Sequence, residues 1–172
     1  MRVRLLSTLV AVCAMLCLLA LAGCAGSTDP KPKEAVRLDL TLSATSTVNP
    51  DEQRRAAPIV VRIYELKNDT AFRTADFFTL QNQEKAAVGD DVIKRDEFLL
   101  RPGEHQHIIH RMDAATTSLG IIAAYRDLPN SVWRATWPVV APDVAWYRMF
   151  APKLKLAVTL DTHAIQIAGP KK

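Results

Sequence analysis

The sequence predicts an all-β fold, a two-sheet sandwich of about eight strands that carries a small helical insert. Three observations predict it. Eight short runs alternate apolar and polar residues or are rich in β-branched ones, and turn residues separate them. One stretch, about residues 69–89, breaks that period and carries helix signals instead. No internal repeat is visible, and residues 24–172 suit a single domain of ordinary size.

The N-terminus reads as a processed leader. Arg2 and Arg4 precede an apolar run from Leu5 to Ala22, followed by small residues, which is the layout of a secretory signal. The run is long enough to reach across a bilayer as well. Leu21-Ala22-Gly23-Cys24 decides between the two readings, because it resembles a bacterial lipobox in which the Cys thiol is lipidated and becomes the first residue. Residues 1–23 are then a lipoprotein signal peptide, and Cys24 carries a covalent diacylglycerol and an N-acyl chain as its only non-protein group. Two or more acyl chains make a stable anchor. Ala25, in the position after the Cys, implies by the same resemblance export to the outer membrane. Cys13 and Cys17 fall in the leader, so the mature chain keeps one Cys and has no disulfide or thiolate zinc site. Of the 22 Lys and Arg, two lie in the leader, leaving 20 against 18 Asp and Glu. That balance, with no basic stripe interleaved with aromatics, argues against a nucleic-acid partner.

Residues 24–35, "CAGSTDPKPKEA", are small, polar and Pro-containing and read as a tether. The domain is expected over 36–168. Leu38, Leu40 and Leu42 alternate with Asp39 and Thr41 in the first strand, and "IVVRIYEL" forms the second. In the insert, Asp69 or Thr70 can cap a helix whose shared face holds Phe72, Ala75 and Phe78, and Gly89 can end a second helical stretch. "VIKRDEFLL" follows, and Arg101-Pro102-Gly103-Glu104 fits a type II turn. "HQHIIHRM", "SLGIIAAYRD", "SVWRATWPVV", "KLKLAVTL" and "HAIQIA" complete the strands, with Trp133, Ala135 and Trp137 on one face.

Little in the chain suggests catalysis. Adjacent strand residues point to opposite faces, so Asp96 and Glu97 are poorly placed to act as a carboxylate pair. The chain has no nucleophile elbow and no phosphate-cradling glycine loop, and it is not expected to be an enzyme. His105 and His107 share a strand face and could approach one cation, but His110 points the other way and a metal site needs three or four ligands. Histidines on a solvated face explain the pattern as well. The run "VAWYRMFAPK", with Trp146, Tyr147, Met149 and Phe150, either plugs one end of the sandwich or offers a sticky surface to a partner.

The connection from Ala44 to Pro58 is long for a compact domain, and loops of that length are usually functional or disordered. Asn49-Pro50-Asp51 favours a turn and Pro58 forces an extended entry into the second strand. By composition a solvated mobile loop and a docking loop fit equally.

Taken together, Cys24, Asn49-Pro50-Asp51, "PIVVRIYEL", "FRTADFF", "DEFLLRPGE" and "GIIAAYRDL" followed by "WRA" resemble the TssJ (SciN-type) lipoproteins of bacterial type VI secretion systems. The likeness runs from Cys24 to about Ile167. It departs from the family pattern at Arg55 and Ala56, where many relatives carry Gly and a small polar residue. The resemblance implies a transthyretin-like sandwich on the periplasmic face of the outer membrane. It also implies a partner, the C-terminal periplasmic part of TssM, which with TssL forms the inner-membrane part of the complex. In the family the loop between the first two strands contacts TssM, and that loop falls here on Thr47, Val48, Asn49, Pro50, Asp51, Glu52, Gln53, Arg54 and Arg55. Val48 and Pro50 are expected as apolar contacts, with Asp51, Glu52, Arg54 and Arg55 supplying charge. The alternative reading is a periplasmic metal- or ligand-binding lipoprotein that uses His105 and His107.

Overall fold

The computed structural model describes residues 32–145 and 149–169. Cys24 and the leader lie outside the described residues, as do Trp146 and Tyr147. The strands are β1 (Arg37–Ala44), β2 (Ile59–Leu66), β3 (Val92–Leu100), β4 (His105–Arg111), β5 (Ser118–Ala123), β6 (Arg134–Pro138), β7 (Lys153–Leu160) and β8 (Ile165–Ala168). They form two four-stranded sheets, ordered β4-β1-β7-β8 and β3-β2-β5-β6. β1 and β7 run parallel, and the other neighbours are antiparallel. The fold is therefore the all-β sandwich that the alternating runs predict.

The period of two places the core. Leu38, Leu40 and Leu42 of β1 join Leu156, Val158 and Leu160 of β7, and meet Ile59, Val61, Ile63, Leu119 and Ile121 from the other sheet. All six residues of β5 are buried, because this strand is covered on both faces. The second cover is the insert, built of α1 (Thr70–Thr74), α2 (Phe77–Asn82) and α3 (Glu84–Val88). Phe72, Phe77, Leu80 and Val88 pack with Tyr64, Leu66 and Ile122 into a second apolar cluster.

The expected helix face through Phe72, Ala75 and Phe78 is corrected here. The backbone turns extended at Ala75, and Asp76 starts a new helix by accepting a hydrogen bond from Thr79 N. That break resets the helical period, so Phe77 is buried and Phe78 is 63% exposed. Asp69 sits at the start of α1, but the side chain that accepts Thr70 N is Asn68. The turn after β3 has the expected type II features, with Gly103 at φ +79° and Glu104 N donating to Arg101 O at 3.0 Å.

Strand directions give the sandwich two poles. β1 and β7 begin at one pole, where β2, β4 and β6 end; the β6–β7 loop lies there. The β1–β2 loop, the β5–β6 connection and the β7–β8 turn lie at the other. Residues of the expected tether pair with the β6–β7 loop. Glu34 N donates to Pro142 O, Val144 N donates to Pro32 O, both at 3.0 Å, and Lys33 Nζ meets Asp143 Oδ1 at 2.6 Å.

Candidate functional site

The β1–β2 loop is internally organised. Its two limbs pair, with Ala57 N donating to Val48 O at 3.1 Å and Asp51 N to Arg55 O at 2.9 Å. At the tip, Asp51 Oδ1 accepts from Gln53 N at 3.0 Å and Arg55 N at 2.9 Å, while Oδ2 takes Arg55 Nε at 2.8 Å. An aspartate that folds its own next residues back in this way is a recurrent turn device. The Arg55 backbone N–H, with its guanidinium adding to the effect, holds the Asp51 carboxyl below the usual carboxylate range. Arg54 adopts the left-handed conformation at φ +61° and is exposed.

Two of the expected contact residues face inward instead. Val48 is fully buried and belongs to the main core, where it closes the end of the sandwich. Asn49 is also buried, at φ +50°; its Nδ2 donates to Pro58 O at 2.9 Å and its Oδ1 accepts Arg126 N at 2.8 Å. The polar neighbourhood of Val48 hides this in the sequence: burial comes from pairing with the return limb, which no local pattern records. Pro50 is half-buried. Thr47, Glu52, Gln53, Arg54 and Arg55 remain exposed.

Three connections are stitched together at this pole. Asn49 joins the loop to the β5–β6 connection. Thr47 Oγ1 lies 2.9 Å from Thr162 Oγ1 of the β7–β8 turn, and Tyr125 Oη donates to Asp161 O at 3.1 Å. Burial pushes the Tyr125 phenol above its usual range, so it stays a donor. An open cleft of about 670 Å³ separates the loop tip from Arg126, Asp127 and His163. These three residues escaped the sequence reading because they lie far from the loop in the chain; only strand pairing brings them beside it.

The strand histidines are dispersed. His107 Nε2 lies 2.7 Å from Asp39 Oδ1 on the outer face, His110 Nε2 lies 2.5 Å from Glu65 Oε1 between the sheets, and His105 is exposed. Among the described residues no three His, Cys, Asp or Glu side chains gather where they could hold a metal ion. Asp96 pairs with Lys94 and Glu97 with Arg62, so the two carboxylates serve separate ion pairs. Met149 and Phe150 are 89% and 81% exposed and plug nothing.

Residues 36–163 match the family model T6SS-SciN, described as type VI secretion lipoprotein, VasD, EvfM, TssJ. The chain belongs to this family. Solved members carry the same fold. The type VI secretion lipoprotein TssJ1 from Pseudomonas aeruginosa is 39% identical with a TM-score of 0.70, covering 80% of this chain and 98% of that one. Serratia marcescens Lip, a membrane-bound component of the type VI secretion system, is 27% identical with a TM-score of 0.71, over 80% and 99%. A chain in the structure of the TssM C-terminal domain from EAEC shares the fold at 21% identity and a TM-score of 0.59, over 78% and 98%. No curated sequence matches the chain. As a TssJ-type lipoprotein, this chain is a component of the type VI secretion system, and the family is a structural one.

Proposed function

We propose that this TssJ-type lipoprotein is anchored by Cys24 in the outer membrane and faces the periplasm. There it binds the periplasmic C-terminal part of TssM, and through TssM is joined to TssL. The observation that carries the reading is the stitched pole: an exposed, charged loop tip held rigid by Asn49, Asp51 and Thr47, at the end of the sandwich opposite the start of the domain. A rigid loop loses little conformational freedom on binding, which favours affinity. The contact surface is the tip, Pro50 and Glu52 to Arg55, extended by Arg126, Asp127 and His163 across the cleft. The role is mechanical. Acyl chains hold one end, the sandwich spaces, and the loop grips.

Replacing Glu52–Arg55 by a Gly/Ser linker keeps Val48 and Asn49 in place and tests the assignment by calorimetry against the TssM periplasmic domain. Loss of binding with an unchanged melting temperature supports it; unchanged affinity refutes it. For the anchor, Cys24→Ser is expected to leave the protein out of the membrane fraction, and co-sedimentation of the mutant with outer membranes would count against lipidation there. The metal-binding alternative draws no support from the described residues, among which His107 is engaged with Asp39 and His105 belongs to no cluster of three or more ligands.

A further inference from the structure

The pole at which the domain begins exposes an apolar surface that docking of the opposite pole leaves uncovered. Val140, Val144, Met149 and Phe150 of the β6–β7 loop are 85%, 55%, 89% and 81% exposed. The same loop is hydrogen-bonded to Pro32 and Glu34, at the start of the domain. Cys24 is eight residues before Pro32, so even a fully extended chain places its acyl group within about 28 Å of that loop. Beside it, strand register sets Arg111, Arg37 and Lys153 in one row on the outer face of the sheet, since Arg37 is the direct partner of both others. Lys153 is paired with Asp39 at 2.6 Å, but Arg37 and Arg111 stand directly opposite one another; like charges so placed are unfavourable, and an anionic surface relieves them. Large apolar side chains flanked by cations are the pattern of segments that lie in a bilayer interface.

We propose that the β6–β7 loop is a second membrane contact: Val140, Val144, Met149 and Phe150 enter the headgroup–acyl boundary while Arg37 and Arg111 meet anionic lipid headgroups. The lipid surface is the one holding the Cys24 anchor, so the inference rests on that part of the proposed function. Two contacts fix the tilt of the sandwich, which a single point of attachment cannot do. The opposite pole, one strand length of about 26 Å away, then points away from the membrane.

The lipidated protein supplies its own test. Cys24 is acylated and Cys13 and Cys17 leave with the leader, so Met149→Cys introduces a unique thiol at an exposed position. An environment-sensitive fluorophore is attached there, or at Gln53→Cys on the opposite pole, and the protein is reconstituted into phosphatidylglycerol-containing vesicles with quencher-bearing acyl chains. Flotation reports the anchor, and quenching reports the loop. The expected result is flotation of both proteins, with quenching several-fold stronger at position 149 than at 53 and weaker at 149 in neutral phosphatidylcholine vesicles. Failure to float overturns the anchor and this proposal together. Flotation with an unquenched label at 149 overturns this proposal alone. So does a label at 149 shielded only at high protein density, which identifies a second copy of the chain as the occupant. Equal quenching in neutral vesicles overturns the role of the cation row.

Discussion

The side chain of Asn49 joins two connections that are distant in the chain, donating to Pro58 O at 2.9 Å and accepting Arg126 N at 2.8 Å. It does so from a left-handed backbone at φ +50°, which Asn tolerates better than other residues with a Cβ. Asn49→Ala is expected to strand both partners and strain the backbone, costing about 2–4 kcal/mol. Urea unfolding measures the loss. Asn49→Gly, which relieves the backbone but not the lost bonds, should recover only part of it; full recovery would mean the side-chain bonds contribute nothing.

A second prediction concerns Gly120 under the helical insert. A Cβ there would stand 2.7 Å from the Phe72 ring and 3.0 Å from Leu66 Cδ1, and Phe72 is fully buried. Gly120→Ala should destabilise the domain by about 1–3 kcal/mol through overpacking. Adding Phe72→Leu should soften that penalty, and a double-mutant cycle in chemical denaturation reads the coupling. Simple additivity would show that the ring does not set the limit.

Asp39 gives a pH dependence. Its carboxylate accepts from Lys153 Nζ at 2.6 Å and lies 2.7 Å from His107 Nε2. Lys153 first and His107 second hold it down to about 2. A carboxylate with a lower pKa folded than unfolded adds stability above its unfolded value, ~3.9, and loses it as pH falls through the folded value. The stability gap between the wild type and Asp39→Asn should therefore be constant at neutral pH and shrink from about pH 4 downward. Parallel melting curves across that range would refute the linkage.

At the loop tip, the side chains of Glu52 and Arg54 are exposed. Reversing both, Glu52→Lys with Arg54→Glu, should change the association rate with the TssM periplasmic domain and its salt dependence, since rim charges act mostly on encounter. The melting temperature should stay the same. Stopped-flow association at two ionic strengths checks this, and an unaltered rate at low salt would place the contact elsewhere.

The eight strands, the type II turn at Pro102-Gly103 and the site of the insert were legible in the sequence, because alternation and turn chemistry are local properties. The long β1–β2 connection was also visible as an anomaly of length. Residue roles within it were less so. Val48, expected as an apolar contact, closes the core, and Phe77 faces inward in place of Phe78, because a helix break at Ala75–Asp76 shifts the face.

By itself the sequence determined the family, through the order and spacing of its motifs, and the sheet-forming runs, through their period. The tertiary structure decided which loop residues are free to touch a partner and which hold the loop together. It also placed Arg126, Asp127 and His163 beside the loop tip, and set the β6–β7 loop next to the start of the domain. The physical reason is that strand pairing joins residues without regard to their separation in the chain. Burial at a pole of a sandwich therefore depends on non-local partners that no window of sequence contains.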